Sequence, residues 1–181
     1  HTDGGARGNP GPAGAGVVIF DEKGRELFAG GFYLGETTNN AAEYQGLIRA
    51  LEQAATLNGD ELDIAMDSEL IVRQINGQYR VKNANLKPLY ERAKELMDSF
   101  KTIVVRHVYR EQNARADMLV NKAIDKHGDV MGTAHESDAV NHSAPSPVIH
   151  QADLREIAAN LTGAEHLKSH QGLKSELVHL H

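Results

Sequence analysis

The 181-residue sequence predicts an α/β domain with a mixed five-stranded sheet flanked by helices, followed by a linker and a small C-terminal appendage. Three observations carry that prediction. Short apolar runs alternate with segments of three- and four-residue apolar spacing, in the order βββαβααβα. Apolar residues make up 40% of the chain, which is enough to bury one ordinary core. Composition shifts near residue 130: seven of the ten His lie beyond it, and Ala144-Pro145-Ser146-Pro147 cannot continue a helix or a central strand. The expected division is therefore a compact domain at 1–130, a flexible linker at 131–149, and a small helical element at 150–181 that ends in a strand.

Each element has its own signal. A first strand ends near Asp3, and Gly4 to Gly16, with six Gly and two Pro, reads as a turn-forming segment. Val17-Val18-Ile19-Phe20 is a strand, Asp21-Glu22-Lys23-Gly24 a hairpin signal, and Leu27 to Leu34 the return strand. Thr37-Thr38-Asn39-Asn40 offers N-cap side chains to a helix that Asn58-Gly59 terminates. Along that helix Glu43, Leu47, Ala50, Leu51 and Ala54 share the buried stripe. Leu62 to Met66 is a short strand with Asp67 at its C-terminal end. A short helix starts at Ser68 and a longer one spans Leu86 to Phe100. Thr102 to Val108 is an apolar strand, and Asn113 to Lys126 a helix on which Asp117 shares a face with Val120 and Ile124.

Several classes are excluded. No apolar stretch approaches the roughly 18–20 residues of a membrane-spanning helix. The absence of Cys removes disulfide scaffolds, thiol catalysis and cysteine-ligated metal. The net charge of −6 argues on its face against a nucleic-acid binder. Its distribution argues otherwise. Residues 1–79 hold 12 acidic and 5 basic side chains, whereas residues 80–126 hold 11 basic and 6 acidic. Such a chain can collect cations in one place and phosphates in another.

Four carboxylates stand where chemistry explains them better than stability does. Asp3 and Asp67 end strands, which is where α/β sheets place ligands. Glu43 lies on the core side of a helix, and Asp117 lies on an apolar helix face. Carboxylates converging there repel one another unless divalent cations neutralise them. Together they suggest an oxygen-ligand site for one or two Mg²⁺ or Mn²⁺ ions.

Four separated motifs then resemble ribonuclease H type I, in its compact variety without a basic handle. They are Thr2-Asp3-Gly4-Gly5 with Gly8-Asn9-Pro10-Gly11, Thr37-Thr38-Asn39-Asn40-Ala41-Ala42-Glu43, Met66-Asp67-Ser68-Glu69, and Arg110-Glu111-Gln112-Asn113-Ala114-Arg115-Ala116-Asp117. The resemblance covers roughly residues 2–127. It implies the RNase H-like fold and a metal-dependent endonuclease that cuts the RNA strand of RNA/DNA hybrids, leaving 5′-phosphate and 3′-hydroxyl ends. Carried over by position, it implies that Asp3, Glu43, Asp67 and Asp117 hold two Mg²⁺, with Mn²⁺ as a substitute. It further implies that Gly4, Gly5, Asn9, Thr38, Asn39, Asn40, Ser68 and Glu69 meet the hybrid, that the protein is a cytoplasmic monomer, and that no membrane is involved. The alternative is a catalytically silent nucleic-acid-binding module of the same fold.

The sequence departs from the family pattern in three places. No His lies between Val108 and Asp117, so Arg110, whose guanidinium can hold a phosphate bidentately, takes the catalytic place of the family's loop His, with an ordinary surface Arg as the other reading. No Trp-containing basic handle is present, so grip falls to Arg80, Lys82, Lys87 and their neighbours. Glu69 stands where many relatives have a neutral amide. The ends also invite a reading: Glu176-Leu177-Val178-His179-Leu180-His181 alternates like the missing half of the first strand. It is expected to complete that strand, through a circularly permuted chain order or by strand exchange with a partner; the alternative is an unrelated helical tail.

Overall fold

The computed structural model describes residues 1–132. Most of the 131–149 linker, the 150–181 element and the 176–181 strand lie outside the described residues. In chain order the elements are β1 (Thr2–Ala6), β2 (Gly11–Phe20), β3 (Glu26–Thr37), α1 (Asn39–Thr56), β4 (Glu61–Met66), α2 (Glu69–Ile75), α3 (Lys87–Met97), β5 (Thr102–His107), α4 (Ala114–Lys126) and β6 (Val130–Met131). A 3₁₀ turn at Arg110–Asn113 leads into α4.

The α/β class stands, and the hydrogen bonding refines the expected five-stranded sheet. The ladders form a four-stranded antiparallel sheet in the order β1-β2-β3-β6 and a parallel pair β4-β5. β1 lies beside β4, but no ladder joins them among the described residues. The sixth strand escapes a periodicity reading because it is two residues long, pairing Val130 with Gly31 and Met131 with Gly30. The Gly132 N–H then donates to the Ala29 carbonyl, so pairing continues two residues past the expected boundary at 130.

The glycine-rich segment is the larger correction. Most of it is strand: β1 and β2 pair from Thr2↔Val17 to Ala6↔Ala13, and only Arg7–Pro10 turns. The reason is space. A Cβ on Gly4 would run into the backbone of Ala42 and Glu43 in α1, whereas a Cβ on Gly5 would meet Val120 of α4. Adjacent strand residues point to opposite faces, so α1 and α4 cover the two faces of the sheet at the closest approach the chain allows. This contact sets β1, and with it Asp3, against the first turns of α1.

The larger core lies among α1, α2, α3, β4 and β5. Tyr44, Leu47, Leu51, Met66 and Ile71 are fully buried there. Each large side chain removed from water contributes on the order of 1.5–3 kcal/mol, and the cluster fixes α1 relative to the end of β4. The Tyr44 hydroxyl donates to the buried Gln74 Oε1 at 2.7 Å, tying α1 to α2 beside Asp67. A smaller cluster of Val18, Ala29, Ala116 and Leu119 seats α4 on β2 and β3. No described helix is long and apolar enough to cross a membrane.

Candidate functional site

Three elements deliver carboxylates to one point. Asp3 is the second residue of β1. Thr38 caps α1, its hydroxyl accepting from the Ala41 N–H at 3.4 Å, and this places Glu43 on the buried face five residues on. Asp67 follows the last residue of β4 directly, where Ser68 begins α2. One oxygen from each of Asp3, Glu43 and Asp67 can be chosen so that all lie within 4.8 Å of one another. Asp3 is 5% exposed and Glu43 7%.

Burial and mutual repulsion then act together. Desolvation, followed by the charges of Asp67 and Asp117, raises the Asp3 carboxyl from 3.8 to about 8. Desolvation, followed by Asp3 and Asp67, raises Glu43 from 4.5 to about 9. The Gly4 N–H opposes both shifts, and Arg110 opposes that of Glu43. Glu43 Oε2 is buried with no hydrogen-bond partner. Hard oxygen donors, an orphaned buried oxygen and like charges held together are the features a divalent cation satisfies, so the donor set fits one.

Asp117 stands apart from this trio. It lines the same cleft of about 260 Å³, but Arg110 Nη2 donates to its Oδ1 at 2.6 Å and Asn121 Nδ2 to its Oδ2 at 3.3 Å. A guanidinium thus supplies the positive charge that this carboxylate takes. Arg110 is itself exposed, at the rim. Gly4, Gly5 and Asn39 line the cleft too. Asn39 Oδ1 accepts from the Ala6 N–H at 3.3 Å and Asn9 Oδ1 from the Asn39 N–H at 3.1 Å, which clamps the β1–β2 turn to the start of α1. Asn40 is exposed in the first turn of α1. Ser68, Glu69, Thr38, Asn9 and Asn40 do not line the cleft itself. The Glu69 carboxylate is paired with Arg73, at 2.6 Å, one turn along α2.

Sequence reasoning passed over three residues at this site. Arg7 and Asn121 line the cleft, linked by a 3.4 Å hydrogen bond, with Arg7 also paired to Asp125 at 2.6 Å. Asn113, 1% exposed, donates to Asp67 Oδ1 at 3.2 Å. Only the last had a sequence signal, an Asn at the start of a predicted helix, and that residue type in that position points to a cap.

Known proteins resemble this chain in sequence and in fold. The family described as Reverse transcriptase-like matches residues 1–123. The chain is 43% identical over 126 residues to the "Bifunctional protein Rv2228c" of Mycobacterium tuberculosis, covering 69% of this chain and 35% of that protein. It is 42% identical over 125 residues to "Ribonuclease HI" of Halobacterium salinarum, covering 69% of this chain and 63% of that one. It thus spans between about a third and two thirds of these relatives. Among solved structures, LC11-RNase H1 in complex with RNA/DNA hybrid is 55% identical with a TM-score of 0.66, covering 70% of this chain and 95% of that one.

Proposed function

The chain belongs to the ribonuclease HI family, and from that premise we propose that it is a divalent-ion-dependent endoribonuclease acting on the RNA strand of RNA/DNA hybrids, with residues 1–130 as its catalytic domain. The observation that carries this reading is the trio Asp3, Glu43 and Asp67, whose oxygens converge within 4.8 Å inside a cleft. A module that only binds nucleic acid gains nothing from packing like charges at that cost.

In this reading Asp3, Glu43, Asp67 and Asp117 hold two ions, Mg²⁺ in the cell with Mn²⁺ as a substitute. When bound, two such ions supply Lewis-acid charge that lowers the pKa of the attacking water and stabilises the leaving 3′-oxygen. The remaining work falls to the protein. Gly4 and Gly5 line the cleft, so their backbone amides face the RNA, and Asn9 and Asn39 present side-chain amides to the 2′-hydroxyl that distinguishes RNA from DNA; Asn40 and Thr38 serve the phosphates of the other strand. The oxygens of Asn9 and Asn39 already hold backbone N–H groups, so their Nδ2 groups serve as the donors to substrate. Arg110, exposed and two-pronged, holds a phosphate oxygen once it lets go of Asp117. Ser68 and Glu69 lie next along the chain from Asp67; with Glu69 engaged by Arg73, Ser68 makes the closer contact. A cytoplasmic monomer completes the reading.

The test is cleavage of an end-labelled RNA/DNA hybrid with Mg²⁺ by the full chain and by Asp67→Asn. Wild type is expected to cut the RNA strand alone, and the variant to lose on the order of 10³-fold, the equivalent of several kcal/mol of charge stabilisation. Equal activity in both, or none in either, overturns the proposal.

A further inference from the structure

Asn113 is in the position where an asparagine side chain ordinarily caps a helix. It is the N-cap of α4, yet its side chain makes no cap hydrogen bond. A cap of this kind is worth roughly 1 kcal/mol, so something else holds the amide. Its Nδ2 donates at once to the Thr2 carbonyl at 3.0 Å and to Asp67 Oδ1 at 3.2 Å. Its Oδ1 is buried and has no partner among the described residues. The orientation is forced: turning the amide over would set an oxygen against two acceptors.

The position of these contacts matters more than their number. Thr2 is fully buried and adjoins Asp3 in β1, Asp67 ends β4, and Asn113 begins the helix that carries Asp117. No ladder joins β1 to β4 among the described residues. One buried amide therefore spans the join between the two strands that bring Asp3 and Asp67 to the site, and it fixes one oxygen of Asp67 as it does so. We propose that Asn113 is a positioning residue, which orients the Asp67 carboxylate and locks β1 to β4 so that the carboxylates are preset for divalent ions. This rests on the reading of the cleft as an ion-binding centre. Hydrogen-bond partners of metal-binding carboxylates typically govern affinity by 10–100-fold.

Asn113→Ser separates this role from a merely structural one. A serine caps α4 as well as an asparagine does, but it is too short to reach Asp67. Titration of the full chain with Mn²⁺ alone, followed by calorimetry, is the primary readout, beside Tm, the KM for a hybrid and the Mn²⁺ concentration giving half-maximal cleavage. Asn113→Ser is expected to keep Tm within a few degrees of wild type while Mn²⁺ affinity falls at least tenfold. The half-maximal concentration should rise by the same factor, with KM changed less than twofold. In an Asp67→Ala background, which removes the acceptor itself, the same substitution should cost less affinity than it does in wild type, because only the contact with the Thr2 carbonyl remains to be lost. Wild-type Mn²⁺ affinity in Asn113→Ser, or an equal further loss in the Asp67→Ala background, overturns the proposal and leaves the ion-binding reading intact. Wild type that binds no Mn²⁺ overturns both.

Discussion

Asp3→Asn is expected to make the protein more stable when no divalent ion is present. At pH 7 the native state holds a proton on Asp3, whose carboxyl is raised to about 8, whereas the unfolded chain with an ordinary value of 3.8 does not. Taking up that proton costs folding about three pH units at about 1.4 kcal/mol each, or roughly 4 kcal/mol. Asparagine has the same shape, keeps an oxygen for the Gly4 N–H, and incurs no such cost.

The sign gives the experiment its shape. A raised carboxyl pKa means that the native state binds more protons than the unfolded state between about pH 4 and about pH 8. Wild-type stability therefore falls as pH rises through that window, and Glu43, raised to about 9, extends the fall. Calorimetry in EDTA should show Asp3→Asn melting roughly 10 °C above wild type at pH 7, from a gain on the order of 3–4 kcal/mol. At pH 4.5 the gain should shrink to about 1 kcal/mol. Adding Mg²⁺ at about a hundred times its dissociation constant should return roughly 2.7 kcal/mol to wild type and less to the variant, which lacks a ligand. A variant no more stable than wild type at pH 7, or a gain equal at both pH values, refutes the reasoning.

Arg110→Ala should slow turnover on a hybrid by about tenfold while shifting stability by less than about 1 kcal/mol, since its pair with Asp117 is exposed on the arginine side; steady-state kinetics beside urea melts separate the two effects. Gly46→Ala places a Cβ against the Asp3 carbonyl and the Thr2 hydroxyl, and the overpacking should cost about 1–3 kcal/mol in urea denaturation with a fall in activity, because the neighbour displaced is the backbone of Asp3. Arg80 and Lys82 carry no ion pair among the described residues, so replacing both with Gln should lower the salt dependence of hybrid affinity by about two in the log–log slope; an unchanged slope places the phosphates elsewhere.

The convergence of Asp3, Glu43 and Asp67 was legible because local pattern puts Glu43 on a buried helix stripe and Asp67 after a strand, and the rule for where α/β sheets place ligands, with the family resemblance, brings them together. The partner of Asp117 was not legible as such, since the seven-residue separation from Arg110 crosses a 3₁₀ turn whose geometry no periodicity encodes. The glycines of β1 and β2 misled for a physical reason. Glycine serves both turns and close packing, and only the approach of α1 and α4 selects the second use. Asn113 drew no reading of its own: its local preference is a helix cap, and a tertiary contact with Thr2 and Asp67 outweighs that preference. Glu69 could have been read correctly from spacing, since Arg73 lies four residues on in the same helix.

The net charge of −6 is the wrong quantity for judging whether this chain meets nucleic acid. Folding pairs basic residues from the second half with acidic residues of the first: Lys101 with Asp60, Arg106 with Asp63, and Arg115 with Glu26. The exposed Lys101–Asp60 pair contributes little stability, and Arg115–Glu26 is part-buried with two hydrogen bonds, but all three cancel the field of acids remote from the cleft. The cleft carboxylates gather no lysine, and Arg110 reaches only one of them directly. With Asp3 raised to about 8 and Glu43 to about 9, both are protonated at pH 7 without a cation. Part of the formal −6 is thus held back by burial and mutual repulsion at the cleft, and the capacity for negative charge is concentrated where a divalent ion would call it out. Arg80 and Lys82, exposed and unpaired among the described residues, are left to meet a phosphate backbone that the total charge would turn away.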